Sequence, residues 1–488
     1  MCQQIIDQGY GFATYPSVPL YDYKKNKKSG KLEFKKVKDL LFGDYIKPEI
    51  SNGALVTYQV NGKPYFKVHC RNHDGYIPSN KIQADGIVEV NFIDVGQGDG
   101  CHIVTEDDNH FIIDAGASDN MFRYIKWRFN LSYSKNVPPE FTGIITHSDG
   151  DHYSGFNHLF SKSKGLMQQI SFKKILHNGM VETSGDNFNT LGTAIEQNNQ
   201  SFITDLCDTD QQFQTLVNNA QSPGDYISTL LKTPAPKESV RFKTNLFTGR
   251  ISSLDVIGPV SQKVNGKDAL PVFDKDKGKT KNGNSVILML TVGKLRILLG
   301  GDLNSFAEDY LLQQYSKIGV PGIRKRLVDK NIDEVTRKGL INQMANAIKL
   351  SGSTIGADIA KSCHHGSNDL TTEFLKAVNP IATVISSGDN EAYCHPRPDT
   401  LGIIGKHSRG ESPLIFCTEL SRSTREFVNV TSSSLPKERI KAVTVYGMIN
   451  IRADVDKAII ATKLEDGSGW YIKKIEWDDK LEEFISIP

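Results

Sequence analysis

Several things that would have placed this sequence in a large class are missing. Its seven cysteines are odd in number, scattered over 488 residues, and include no Cys-X-X-Cys pair. A disulfide framework and a zinc-finger site are therefore excluded, and the thiols read as those of a reduced, cytoplasmic protein. No apolar run approaches the ~20 residues needed to span a bilayer, so no membrane partner is expected. The opening MCQQIIDQGYGF has neither a basic segment nor an apolar one, so no secretory signal is expected. Charge of one sign is also lacking. Lys and Arg number 58 against 56 Asp and Glu, a net +2. A bulk basic coat for nucleic acid is absent, although a local patch is not excluded. No internal repeat or low-complexity tract is present.

The composition is otherwise that of an ordinary globular protein. Hydrophobic residues make up 38% and charged residues 23%, and the length suffices to bury a core without staples. The first 35 residues are polar and broken, and Lys24-Lys25-Asn26-Lys27-Lys28 reads as a solvated, mobile charge run. From 36 to 86 the pattern is one of short strands. ALVTYQV and YFKVHC flank an Asn61-Gly62 turn and predict a hairpin. Asp74-Gly75-Tyr76-Ile77-Pro78-Ser79-Asn80 follows and resembles the end of a Src-homology-3-like small barrel. That resemblance implies a packing or docking module, and so a protein partner. From 87 onward, apolar runs of strand length end in clusters of Asp, His or Gly. Buried strands that deliver polar residues at their ends are the usual way an α/β scaffold builds a site. Segments at about 185–235 and 303–350 show apolar spacing near three to four and predict helical insertions forming a cap. Segment 263–283 reads as a loop, and about 440–475 as three strands.

Twelve histidines are unevenly placed. The densest signal is Thr146-His147-Ser148-Asp149-Gly150-Asp151-His152, after the apolar FTGIIT. Four ligand-type side chains at a strand end are costly unless a cation neutralises the carboxylates. Asp302 follows Leu298-Leu299-Gly300-Gly301 and is suited to bridging two cations. Cys363-His364-His365-Gly366-Ser367 follows another apolar run. One histidine of that pair is expected to bind metal, the other to contact substrate or move a proton. His395, in Tyr393-Cys394-His395-Pro396, is a candidate for the site's rim. His177 reads as a packed histidine.

Asp94-Val95-Gly96-Gln97-Gly98-Asp99, Ile113-Asp114-Ala115-Gly116, THSDGDH, GGD and HHGS occur in the order of the metallo-β-lactamase superfamily. The set is most similar to the hydrolase domain of ComEC-type competence proteins and their soluble relatives. The resemblance covers residues 87 to about 475, within a domain taken as 87–488. It implies an α/β fold of αββα sandwich type with helical insertions, behind the small N-terminal β-barrel. It further implies a dinuclear metal site, a tight turn from Asp94 to Asp99 near it, and Asp114 holding the metal loop. Asp149 stands where the commoner pattern has histidine, and Asn284 stands near the place of another. Harder oxygen ligands shift preference from Zn²⁺ toward Mn²⁺ or similar ions. His147 and Asp149 are assigned to one metal, and Asp151, His152 and one of His364/His365 to the other, with Asp302 bridging.

Two divalent ions, Mn²⁺ or Zn²⁺, would activate a water for attack on phosphorus or a carbonyl. The histidine of His364/His365 that is not a ligand is the candidate general acid. The expected activity is phosphodiester hydrolysis of DNA or RNA. Hydrolysis of a small molecule, such as a cyclic nucleotide, a phosphorylcholine ester or a lactone, is the alternative. A degenerate scaffold using the N-terminal barrel is a third reading.

Overall fold

The computed structural model describes residues 2–28, 30–70, 73–132, 136–160, 170–181, 183–206, 244–388, 394–419, 448–464 and 469–487. Two large sheets organise the chain. The first runs, in spatial order, Ser171–His177, Glu140–Ile145, His110–Ala115, Gly100–Val104, Val88–Ile93, Met448–Ala453, Lys457–Lys463, Trp470–Asp478 and Glu483–Ile487. The second runs Asn245–Thr248, Ser252–Gly258, Ile287–Val292, Leu295–Leu299, Ile359–Lys361, Ala382–Ile385 and Leu414–Cys417. In each, antiparallel strands give way to parallel ones at one end.

Side-chain alternation explains the layering. Along Ile287–Val292, Leu288 and Leu290 join one core cluster with Val90, Ile112 and Ile451 of the first sheet. Ile287 and Met289, pointing the other way, join a second cluster with Tyr310, Leu312, Met344 and Phe374. Period-two alternation thus fixes one face of the second sheet against the first sheet and the other against helices. Those helices are Ser305–Ser316, Val320–Leu327, Glu334–Ile355 and Thr372–Val378. Asn304, Asp333 and Thr371 cap three of them, each accepting a backbone N–H from the first turn. The segment 303–350 is therefore a layer on the outer face of the second sheet and not the expected cap. Its apolar stripe is spent on Ile287, Met289, Leu298 and Ala360.

Other expectations also change. Residues 185–235 were expected to be helical. The described part is a short 3₁₀ turn, Phe188–Leu191, and a hairpin of Thr193–Gln197 and Gln200–Thr204. Asn198 and Asn199, with φ of 52° and 60°, form its turn; residues 207–235 lie outside the described residues. The expected loop 263–283 is a hairpin around Asn265-Gly266 followed by helix Lys277–Gly283, which Asp276 caps. The C-terminal part carries four strands, Glu483–Ile487 being the addition; residues 440–447 lie outside the described residues.

The first 35 residues are not a loose segment. Helix Cys2–Gln8 and strands Gly11–Ala13 and Ser17–Lys25 supply Ile5, Ala13, Val18 and Leu20 to a buried core with Phe66, Val68 and Ile77. The N-terminal sheet of eight strands runs from Ile82–Gln83 at one edge to Leu32–Leu41 at the other. Among the described residues those outer strands do not pair, so the sheet is not closed by hydrogen bonds into the expected small barrel. Asn61 and Gly62, with φ of 52° and 73°, join Thr57–Val60 to Lys63–Cys70. No helix among the described residues is long and apolar enough to cross a membrane.

Candidate metal centre

Five segments converge at the ends of strands from both large sheets. Asp114 ends His110–Ala115, and Thr146 and His147 follow Glu140–Ile145. Asp149, Asp151 and His152 lie at and inside the short helix Gly150–Tyr153. Asp302 follows Leu295–Leu299, and His364 and His365 follow Ile359–Lys361.

Asp302 sits at the centre. Its Oδ2 lies 3.2 Å from Nε2 of both His152 and His365. Nε2 of His147 is 3.9 Å away and that of His364 is 4.0 Å away. Asp151 closes one side, with Oδ1 3.9 Å from His152 Nε2 and Oδ2 3.7 Å from His365 Nε2. Nε2 of His147, His152 and His365 and Oδ1 of Asp302 are buried with no hydrogen-bond partner. Unpartnered buried nitrogens converging on a carboxylate are costly unless something binds there. Among the described residues four triads have ligand atoms mutually within 4.8 Å: His147–His152–Asp302, Asp151–His152–His365, Asp99–Asp302–His365 and Asp99–Asp114–His152. The last two bring in Asp99 and Asp114, which were expected only in a supporting role.

The surroundings orient these groups. Asp114 accepts hydrogen bonds from the Thr146 backbone N–H at 2.8 Å and hydroxyl at 2.6 Å, and its Oδ2 lies 2.8 Å from His152 Nδ1. That contact turns His152 Nε2 toward Asp302, the usual way a carboxylate sets a ligating imidazole. His365 Nδ1 lies 3.1 Å from Asp99 Oδ1 and 3.2 Å from the Ser386 carbonyl. The Ser285 hydroxyl accepts from the Asp302 N–H at 3.1 Å and lies 3.4 Å from His147 Nδ1. Backbone strain gathers here. Asp114, His364 and His365 have φ of 53°, 47° and 53°, in the left-handed region that non-glycine residues seldom occupy. The turn from Asp94 to Asp99 packs against the same loop. A Cβ on Gly98, whose φ is 102°, would lie 1.7 Å from the Asp151 carbonyl oxygen, so only glycine fits. Asp94 holds that turn by accepting the Gly96 N–H.

Two buried lysines complete the electrostatics. Lys361 pairs with Asp99 and donates to the Gly301 carbonyl at 3.0 Å. Lys281 pairs with Asp149. Burial would raise the Asp99 carboxyl, but Lys361 and His365 hold it at about 2. Burial would likewise raise Asp149, but His147 and Lys281 hold it well below the usual carboxylate range. Burial would lower His365, yet Asp302 and Asp99 push it up to about 10. His152 is raised in the same way, against burial, by Asp302, Asp114 and Asp151. Five carboxylates (Asp99, Asp114, Asp149, Asp151 and Asp302) thus face two ammonium groups. The excess of negative charge and the nitrogen and oxygen donors suit a divalent cation of the Zn²⁺ or Mn²⁺ kind.

The other expected residues lie at varying distances from the triads. Asn284 caps helix Lys277–Gly283 and donates to the Pro271 and Thr280 carbonyls, away from the triads. Asp149 belongs to no triad, but its Oδ2 lies 3.6 Å from His147 Nε2, beside the residue with which it was expected to share a metal. His395 is half-buried, its ring centroid 6.0 Å from His364 and 6.2 Å from His365. His177 is buried at the end of its strand and accepts the Gly179 N–H. Lys361 was missed as a site residue, and Lys281 was expected only as part of a lysine-rich segment, 275–281, that would suit a polyanionic substrate if it bordered the cleft. A lysine inside the buried strand Ile359–Lys361, three residues before the histidine pair, was a usable signal.

No protein-family profile matches the chain. Over 130 residues it is 25% identical to ComE operon protein 3 of Bacillus subtilis (strain 168). That stretch is 26% of this chain and 12% of the length of the relative. A solved structure described as a metal-dependent hydrolase of the β-lactamase superfamily superposes with a TM-score of 0.31 and 11% identity, covering 68% of this chain and 95% of that one.

Proposed function

We propose that the protein is a metal-dependent hydrolase of the metallo-β-lactamase type, its two large sheets forming the αββα sandwich, and that it cleaves phosphodiesters. The observation that carries this reading is the convergence of three buried, unpartnered imidazole nitrogens, from His147, His152 and His365, around the Asp302 carboxylate. His147, His152, His365, Asp151 and Asp302 would hold the metal. When bound, a divalent cation activates water and stabilises negative charge developing on a phosphoryl oxygen.

The chain's own groups do the rest. Asp114 and Asp99 fix the rings of His152 and His365, so their Nε2 atoms need no reorganisation. Lys361, locked on Asp99 and Gly301, supports the Asp302 loop from behind. Lys281 places positive charge at the Asp149 side, which favours an anionic substrate. His364 is the histidine closest to solvent in the cluster, its side chain 27% exposed and its Nδ1 without a hydrogen-bond partner. It is placed to exchange a proton between the leaving oxygen and water.

The test is hydrolysis of bis(p-nitrophenyl) phosphate and of labelled single- and double-stranded DNA and RNA. The protein is first stripped with chelator, then reloaded with Mn²⁺, Zn²⁺ or Mg²⁺. Metal-dependent cleavage that disappears in Asp302→Asn is expected. Absence of phosphodiester cleavage with every metal, or full activity in Asp302→Asn, sinks the reading.

A further inference from the structure

The N-terminal sheet buries only one of its faces. Val18, Leu20, Phe66, Val68 and Ile77 point into its core. On the other face the cross-strand partners are aromatic: Tyr23 faces Phe34, Tyr21 faces Tyr76, and Tyr58 faces Tyr65. The six rings form one continuous raft. Phe34 lies 5.1 Å from Tyr21 in a stacked arrangement and 5.2 Å from Tyr65, centroid to centroid. Tyr76 bridges Phe34 and Tyr58 at 5.8 and 5.5 Å. The raft is open to solvent at Tyr23, which is 44% exposed.

Lysines edge these rings. Lys36 pairs across the ladder with Tyr21, and Lys67 with Tyr76. Lys25 and Lys63 lie two positions from Tyr23 and Tyr65 on their own strands, hence on the same face. Among the described residues Lys36 and Lys67 are ion-paired with Asp39 and Glu49, whereas Lys25 and Lys63 form no ion pair. The charge of the whole chain is uneven in the same sense. Residues 1–86 carry thirteen lysines and arginines against eight acids, while the other 402 residues carry 45 against 48. Cross-strand ring pairs stabilise a sheet by themselves. That role explains neither the solvent exposure nor the concentration of positive charge on this part of the chain.

We propose that this face binds single-stranded nucleic acid, with bases stacked on the rings and phosphates along the lysines. Every base has a π face, so an aromatic raft edged with cations accepts a single strand without reading its sequence. A duplex keeps its bases stacked inside and cannot use the rings. The inference deepens the reading of the metal centre as a phosphodiesterase by naming a single-stranded polymer as substrate. Its test reads binding alone, so the two can fail separately.

The experiment is fluorescence anisotropy on the full chain in EDTA, with labelled oligothymidylate and oligouridylate of about 20 nucleotides, the matching duplex, and a proline-rich peptide. Salt-dependent binding of the single strands in preference to the duplex is expected. Tyr23→Ala combined with Phe34→Ala weakens it by about tenfold or more. Lys25→Ala combined with Lys63→Ala lowers the slope of log affinity against log salt by about 1–2. Tyr23→Trp retains binding. Tyr23→Ala alone, at an exposed position, keeps the test valid if the double ring variant fails to fold. The proposal is overturned by failure to bind either single strand, by equal binding of the duplex, or by unchanged affinity in a ring variant with wild-type melting. Binding of the peptide in place of the oligonucleotides overturns it as well.

Discussion

The Lys281 ammonium is ion-paired with the Asp149 carboxylate inside the candidate metal centre, and the two residues are brought together from 132 positions apart in the chain. Lys279 pairs with Asp274, Lys277 donates to the Thr183 and Gly185 carbonyls, and Lys275 faces Glu196. Lys281 therefore is the member of that lysine-rich segment that reaches the site. It already neutralises a carboxylate that could otherwise serve a cation. Lys281→Met keeps the stem and removes the charge. It is expected to raise the number of Mn²⁺ or Zn²⁺ ions bound per chain, read by elemental analysis after gel filtration. An unchanged ion count would show that Asp149 has no part in metal binding.

Asp114 accepts two hydrogen bonds from Thr146 and lies against His152, and so sets the direction of the His152 ring. Asp114→Asn preserves shape but leaves an amide nitrogen facing donors. Carboxylates behind a ligating histidine are worth about 10–100-fold in metal affinity. A loss of that size, measured by competition with a chromogenic chelator, is the expected result. A variant that binds metal as tightly as the parent would remove Asp114 from the centre.

The site was more legible than its setting. Thr146 to His152, Asp302 and His364–His365 each follow an apolar run, and chain contiguity made those clusters visible before any fold was known. The pairing of Lys361 with Asp99 spans 262 positions, and no local pattern announces such a pair. The N-terminal strand Ser17–Lys25 was hidden by its composition. Its two buried residues, Val18 and Leu20, sit beside Pro19 and a run of charge, so period two was present over a short span only. The Thr193–Thr204 hairpin was misread because a five-residue strand with two apolar side chains is too short to show its period. Its Asn198-Asn199 turn was the better signal.

Arg452, in the first large sheet, donates to Asp44 Oδ1 and to the Phe42 carbonyl, both at 2.7 Å, and so ties the N-terminal sheet to that sheet. Both side chains are almost fully buried, at 3% and 4% exposure. Removing one partner of a buried pair costs about 3–5 kcal/mol when the other is left wholly uncompensated. Here Glu89, 3.7 Å from Arg452, remains, so the cost is expected at or below the lower end of that range. Asp44→Ala should lower the urea midpoint accordingly. Replacing both residues with apolar ones of similar volume should recover much of the loss. A midpoint unmoved in Asp44→Ala would mean that the junction adds nothing to stability.

Glu308, on helix Ser305–Ser316, is fully enclosed, and burial pushes its carboxyl up to about 8, with Asp309 and Asp369 adding to the effect. The Thr371 N–H, which donates to it, pulls the other way but does not outweigh burial. The folded protein therefore keeps a proton on Glu308 that the unfolded chain has already released above its ordinary value of 4.5. Between those two values the folded state binds more protons, so this group's contribution to stability falls as pH rises from about 4.5 to 8 and then levels off. The full span is on the order of a few kcal/mol. Glu308→Gln keeps the acceptor for Thr371 and has no proton to lose. Urea unfolding at pH 6 and at about pH 8.5 should show a smaller loss of stability in Glu308→Gln than in the parent. Equal losses in the two proteins would place the ionised carboxylate in the folded core at neutral pH.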